Sequence, residues 1–343
     1  VKGSKIMISE QKMQKINWYR TPIDRNTLAT LNQRSDWRGL VQTLGHLGLL
    51  VLTGAAAFYA VEHLSIWVLL LILFLHGTFY AFLLNGFHEL CHSTVFKSKS
   101  LNTFFLYVFS FLGGFNPFLF WASHQEHHKY TLHPPDDMEV VLPVEIKLES
   151  FLKSALINPW GFYGRLKGVV RLSRGRLEGA WEHALFPASE PAKRQRLFNW
   201  ARILLIGHTL LTVVSLYLGL WLIPVLITLA PFYGGCLLFL CNNTQHVGLQ
   251  DNVPDFRLCT RTIILNPFVQ FLYWHMNFHI EHHMYAAVPC YHLRKLHQAI
   301  EHDLPPSPVG LVATWQEIIA ILRKQKVDPT YQHVPPVPAH AAA

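Results

Sequence analysis

Apolar positions along this chain gather into long runs rather than alternating, and four of the runs reach the length of a spanning helix. About 20 residues at a 1.5 Å rise cross the hydrocarbon core of a bilayer. Val41–Val61, Ile66–Gly86, Ile203–Trp221 and Leu222–Leu240 meet that requirement. Only Glu62-His63-Leu64-Ser65 separates the first two, and almost nothing separates the last two, so each pair is predicted as a tight antiparallel hairpin. Leu101–Trp121 is also long enough, but Gly113-Gly114 and Asn116-Pro117 interrupt it. It is predicted as a re-entrant or interfacial segment, because irregular backbone at membrane depth is tolerated where protein covers it. Ile263–Trp274 is too short to cross and reads the same way. Between Val144 and Arg196, apolar residues mix with Lys147, Lys153, Arg165, Lys167, Arg171 and Arg174, as in amphipathic helices lying on a membrane face.

The expected fold is therefore an all-α membrane protein. Four transmembrane helices form two hairpins, joined by a re-entrant or interfacial apolar segment and a cytosolic helical cap. Residues 1–40 are expected to form a cytosolic N-terminal segment, 41–302 a membrane domain, and 303–343 a cytosolic tail. Val1 and Ala341-Ala342-Ala343 read as processing remnants, and the basic, polar first 40 residues carry no cleavable-leader pattern.

Composition agrees with lipid surroundings. Of 343 residues, 51% are hydrophobic and 15% charged, against about 25% charged in soluble domains. All 29 lysines and arginines avoid the two short connectors: eight lie at or before Arg38, and the rest within Lys97–Arg202 or from Arg257 onward. Such an excess marks cytoplasmic segments. Both termini and the middle segment are thus expected to face the cytosol, with a bacterial inner membrane the expected location. The net charge of +8 suits anionic headgroups or an acidic redox partner. Because this charge flanks the membrane runs, a nucleic-acid partner is not expected. The five cysteines (Cys91, Cys236, Cys241, Cys259 and Cys290) lack CxxC spacing and read as free thiols.

The 21 histidines are the compositional anomaly, and their spacing carries the chemistry. His88-Glu89-Leu90-Cys91-His92 follows the second run and puts two imidazoles on one helix face. His124-Gln125-Glu126-His127-His128 places three more at i, i+3 and i+4, and His279-Ile280-Glu281-His282-His283 repeats that pattern far along the chain. Asn242 and His246 have helical i, i+4 spacing just after the fourth run. In the expected topology all of these segments meet at the cytosolic membrane face. Nine imidazoles are too many for one ion, and no cysteine spacing supports structural zinc, so two metals account for the number. Imidazole suits Zn, Cu, Fe and Ni, which leaves the metal open on chemistry alone.

The motifs HELCH, HQEHH and HIEHH, with the Asn242–His246 pair, resemble the three histidine boxes and additional ligand motif of integral-membrane fatty-acid desaturases. The wider superfamily includes alkane and fatty-acid hydroxylases, carotenoid oxygenases and decarboxylases that make terminal alkenes. The resemblance covers roughly Val41 to His302. It implies two iron ions, O2 as co-substrate, and His88, His92, His124, His127, His128, His246, His279, His282 and His283 as ligands, with Asn242 binding through a water.

Such a site acts on an aliphatic C–H bond of a fatty acid or fatty-acyl group. Loss of a second hydrogen gives a double bond, oxygen rebound gives an alcohol, and loss of the carboxylate gives a terminal alkene. Desaturation is the leading expectation. Glu89, Glu126, Asp136, Asp137, Glu139 and Glu281 are candidate carboxylates for orienting imidazoles. Phe87, Trp121, Tyr273, Trp274 and Phe278 are candidate substrate-channel residues, while Arg20, Arg25, Arg257 and Arg261 are candidate anchors for an acidic headgroup. No Gly-rich dinucleotide fingerprint or iron–sulfur cysteine array is present, and His133-Pro134-Pro135 is not a haem-binding signature. Electrons are therefore expected from a ferredoxin, rubredoxin or cytochrome-type donor with its reductase. A membrane metal transporter is the remote alternative, disfavoured because transporters coordinate near mid-bilayer. His46, His76 and His208 lie within spans and are expected to be neutral imidazoles bonded to neighbouring helices, while His133, His275, His292, His297 and His302 lie near the boxes as candidate outer partners.

Overall fold

A computed structural model describes residues 15–142, 146 and 148–338. Val1, Val144, Lys147 and Ala341–Ala343 lie outside the described residues. Among those described, the fold is helical with only isolated bridge pairs. In chain order the α-helices are α1 (Arg25–Leu31), α2 (Asp36–His63), α3 (Ile66–Ala81), α4 (Leu83–Cys91), α5 (Lys99–Gly113), α6 (Pro117–Tyr130), α7 (Leu148–Ala155), α8 (Pro159–Ser173) and α9 (Gly179–Leu185). They continue with α10 (Pro191–Tyr217), α11 (Leu222–Leu226), α12 (Cys236–Asn242), α13 (Phe256–Cys259), α14 (Pro267–Leu272), α15 (His279–Met284), α16 (Leu293–Ile300) and α17 (Gly310–Val327).

Three helices are long and apolar enough to cross a membrane: α2, the α3–α4 unit over Ile66–Cys91, and α10. Ser35 caps the first by accepting from Arg38 N, and the chain turns at Leu64-Ser65 into the second, which packs antiparallel against it as the short connector predicts. The outward faces carry Val51, Leu52, Trp67, Leu71, Ile206 and Val213, all exposed. Large apolar side chains arrayed in this way belong against lipid.

The fourth predicted span departs from expectation. Leu222–Leu240 is not one helix: α11 stops after five residues, a 3-10 turn follows at Ala230–Phe232, and α12 begins only at Cys236. Proline supplies no backbone N–H and clashes with the preceding turn, so Pro224 and Pro231 fragment the run despite its apolar character. Gly234, at φ +68, completes the break, and its carbonyl accepts from Thr78 Oγ1 at 3.0 Å. Hydropathy alone registered the apolar composition and missed these breakers.

Leu101–Trp121 breaks where its glycines and proline predict. Gly114 ends α5 in the left-handed conformation at φ +65, Asn116 caps α6 by accepting from Phe118 N and Leu119 N, and the two helices meet at 103°. This bend aims the C-terminal half of α6, with its histidines, back toward α4. In the Ile263–Trp274 stretch only Pro267–Leu272 is helical. The basic segment before Arg196 forms α7, α8 and α9, with Trp160, Tyr163 and Leu166 exposed along α8.

The span histidines make the expected hydrogen bonds. His46 Nε2 meets Phe79 O at 2.9 Å, and His76 bridges Thr53 Oγ1 and Leu226 O. His208 bridges Phe111 O and Thr228 Oγ1. All five cysteines are free.

Candidate metal centre

Four helices deliver the histidines. The end of α4 carries His88 and leads to His92; the end of α6 carries His124, His127 and His128; α15 carries His279, His282 and His283; His246 follows α12 in a series of turns. Gly86 lets α4 approach closely, since a Cβ there would lie 2.4 Å from Phe109 and 2.6 Å from the buried Trp274 ring. Trp274 is itself held by a 2.9 Å hydrogen bond from Nε1 to His46 Nδ1.

The imidazoles sort into two adjacent groups. His88, His92, His124, His128 and His282 each direct one nitrogen into a space where all these atoms lie within 4.8 Å of one another. His127, His246 and His283 form a second such group. His279 joins the second group, with its Nε2 3.0 Å from His246 Nε2 and 3.2 Å from His283 Nε2. The groups touch where the His128 and His283 rings stack at 4.5 Å.

Outer partners fix where the ring protons sit. His88 Nδ1 lies 3.0 Å from Glu89 Oε1, His124 Nδ1 2.7 Å from Glu139 Oε1, and His127 Nδ1 2.8 Å from Asp137 Oδ2. His246 Nδ1 donates to Cys259 O at 2.9 Å, and His283 Nδ1 is 3.2 Å from Thr131 Oγ1. A proton held on Nδ1 leaves a lone pair on Nε2. Within the first group, however, Nε2 atoms stand only 2.7 to 3.2 Å apart. Lone pairs converging at that separation repel unless a cation lies among them. Two nitrogens bound at about 2.1 Å and at right angles to one metal are about 3.0 Å apart. The donor set therefore fits metal ions held by neutral imidazoles.

Burial favours the neutral form throughout the site, although at His127 the hydrogen bond and charge of Asp137 outweigh it and raise the imidazole above its ordinary value. His246 is pushed down to about 3, by burial first and then by the neighbouring His127. His279, His282 and His283 are driven well below the usual histidine value by burial and mutual proximity. At neutral pH these rings present lone pairs rather than protons, as metal ligation requires.

Of the six carboxylates expected to orient imidazoles, Glu89, Asp137 and Glu139 contact ring nitrogens of the two groups. Glu89 also lies 3.6 Å from His282 Nδ1. Glu281 instead turns away from the box, accepting from Thr262 Oγ1 and His297 Nδ1, each at 2.5 Å. Glu126 pairs with Lys129. Arg257 is committed to Asp255 and Asp303, and Arg261 to Glu317 and the carbonyls of Thr244 and Val247. Arg20 lines an open groove with Lys15, Lys129 and His128. Asn242 Oδ1 takes a long 3.5 Å hydrogen bond from Asn85 Nδ2.

Sequence reasoning missed Thr131 and the Cys259 carbonyl as outer partners; His297, named as a candidate outer partner, reaches Glu281 rather than a ring of the two groups. Asn85 had a signal: it stands at i−3 from His88, on the face that α4 turns toward the site.

A family model described as fatty acid desaturase matches residues 64–315, spanning all three boxes. The Delta(6)-fatty-acid desaturase fat-3 of Caenorhabditis elegans is similar, being 24% identical over 229 residues that cover 59% of this chain and 51% of that protein. The chain thus spans about half the length of this curated relative. Boxed histidines and a match over most of its length together mean that this chain belongs to the fatty acid desaturase family.

Proposed function

We propose that the protein is an O2-dependent integral-membrane desaturase that introduces a double bond into a fatty acid or fatty-acyl chain at a two-iron centre. The observation that carries this reading is the pair of adjacent imidazole groups with ring protons turned outward. His88, His92, His124, His128 and His282 would hold one iron; His127, His246, His279 and His283 would hold the other, with Asn242 contributing through a water. Bound iron would supply O2 activation and removal of hydrogen from an unactivated C–H bond.

The chain's own residues hold the imidazoles in one tautomer and keep bulk water away. Glu89, Asp137 and Glu139 retain protons at Nδ1, which fixes each ring's orientation. Phe120 stacks on His124 with ring centres 5.0 Å apart and meets His88 edge-on, and Phe256 covers His283. Such apolar walls place an acyl chain and strengthen the electrostatics within. Electrons would come from an external ferredoxin, rubredoxin or cytochrome-type donor, and both termini and the centre would face the cytoplasm of a bacterial inner membrane.

The test supplies iron, a ferredoxin and its reductase, and a panel of free acids, acyl thioesters and alkanes, with products identified by mass spectrometry. An internal alkene two mass units below its substrate supports desaturation. An alcohol or a chain-shortened terminal alkene as the main product would replace that reading.

A further inference from the structure

Away from the histidines, a cavity of about 280 Å³ opens between α8, α10 and the Gly113-Gly114 end of α5. Its walls are mostly apolar, among them Leu112, Phe162, Leu204 and Val213, and Phe232 closes one side. Into it projects Arg165, from the inner face of α8. One guanidinium nitrogen donates to Gly113 O, and the guanidinium carbon lies 4.9 Å from the Phe115 ring and 5.3 Å from the Phe232 ring. Burial pushes the group down to about 10, which still leaves it charged at neutral pH. No carboxylate pairs with it among the described residues. The other polar side chains in the wall are His208, Thr209, Thr212 and Thr228, of which His208 and Thr228 bond each other at 3.1 Å.

A guanidinium has five N–H donors in a planar fork. The Gly113 carbonyl uses one and accounts for part of the arrangement, since a cation at a helix C-terminus is favourable. It does not neutralise the charge. Removing a cation from water is costly unless an anion accompanies it. Position favours a lipid source for that anion. Arg202, the last cation on α10, precedes His208 by six residues, or about 9 Å of helix, so the cavity begins where lipid headgroups give way to acyl chains.

The geometry points to a second ligand site, in which Arg165 binds the carboxylate of a single-chain fatty acid while α8 and α10 enclose its hydrocarbon. An acidic amphiphile matches one fork and apolar walls, and the Arg–carboxylate pair is the planar, two-toothed match. About 280 Å³ falls at the small end of ligand pockets, which suits one acyl chain better than the two of a phospholipid. The site is separate from the metal centre. Phe115, Phe87 and Phe120 stand in series between Arg165 and His124, with successive ring centres 4.9 Å apart. Occupancy therefore does not depend on metal or on the catalytic reading.

The experiment uses the full chain in nanodiscs of neutral phosphatidylcholine and a palmitic acid analogue carrying a diazirine in its chain. Photolabelled peptides are mapped by mass spectrometry, with competition by palmitate, hexadecanol or phosphatidylglycerol. Labels are expected on α8 and α10, competed by palmitate and not by hexadecanol. Arg165→Gln keeps a donor for Gly113 O but removes the charge, and should weaken labelling about tenfold, as loss of a charged hydrogen-bonded pair implies. Arg165→Lys should retain most of it. Thr212→Phe leaves Arg165 untouched, fills the cavity and should abolish labelling, so the test survives if the Arg165 variants misfold. Equal competition by palmitate and hexadecanol, undiminished labelling in Thr212→Phe, or competition by phosphatidylglycerol alone would overturn the assignment. Labels confined to peptides around the histidine boxes would also overturn it, while leaving the proposed function intact.

Discussion

Asp137→Asn probes how the centre is held, because Asp137 is fully buried and both of its carboxylate oxygens are engaged. Oδ2 accepts from His127 Nδ1 at 2.8 Å and from Leu132 N at 2.9 Å, while Oδ1 accepts from Glu139 N at 2.9 Å. An asparagine has one oxygen for three donors. With its oxygen toward His127, the amide NH2 faces the Glu139 N–H, and the unmet donors cost about 1–3 kcal/mol of stability. With the amide reversed, His127 must accept at Nδ1, which moves its proton to Nε2 and removes the lone pair aimed at the second group. Loss of such an outer partner lowers metal affinity about 10- to 100-fold, or about 1.4–2.7 kcal/mol. The assay is iron retention against a graded chelator, read by plasma mass spectrometry, beside thermal unfolding in detergent. One of two irons should be lost at lower chelator concentration, or the melting temperature should fall, with Glu126→Gln as an unaffected control. A variant matching the parent in both measurements would refute the reasoning that Asp137 fixes the His127 tautomer.

Other perturbations separate the two groups and test their support. His128→Ala should deplete the first metal and His246→Ala the second, each leaving about one iron per chain and no detectable oxidation, by metal analysis and product assay. Gly86→Val places side-chain atoms inside the Phe109 and Trp274 rings; overpacking of this kind costs about 1–3 kcal/mol and should lower the melting temperature together with iron content. Asp303→Ala removes the acceptor shared by Tyr19, Thr21 and Arg257. It should cost about 3 kcal/mol, the low end for a broken buried pair because Asp255 still neutralises Arg257, and limited proteolysis should then cut the segment around Tyr19 sooner.

Much of the site was legible in the sequence because its chemistry is local. HxxxH and HxEHH place imidazoles on one helical face wherever a helix forms, so the pattern alone implied convergent ligands, and these segments do meet. The partition into two groups was not legible. It depends on the 103° bend at Gly114 and on the turns that carry His246 back beneath Cys259, which are tertiary facts. Outer partners followed the same division. Asp137 and Glu139 lie close to their histidines in sequence and were named, whereas the Cys259 carbonyl, a backbone atom that meets His246 only through the fold, was not. In the fold, the long runs ending at Val61 and Gly86 became helices because no proline interrupts them and their isolated glycines keep helical backbone. Leu222–Leu240 read as a span by hydropathy, yet Pro224, Pro231 and Gly234 control its backbone. A count of apolar residues measures the preference for lipid and is blind to the missing N–H of a proline.

Whether two irons sit among these imidazoles is tested most directly by counting metal in purified protein that is demonstrably turning over an acyl substrate. Two iron atoms per chain, falling in step with activity as chelator is added, is the predicted result. Full turnover with one iron or none per chain would contradict the account.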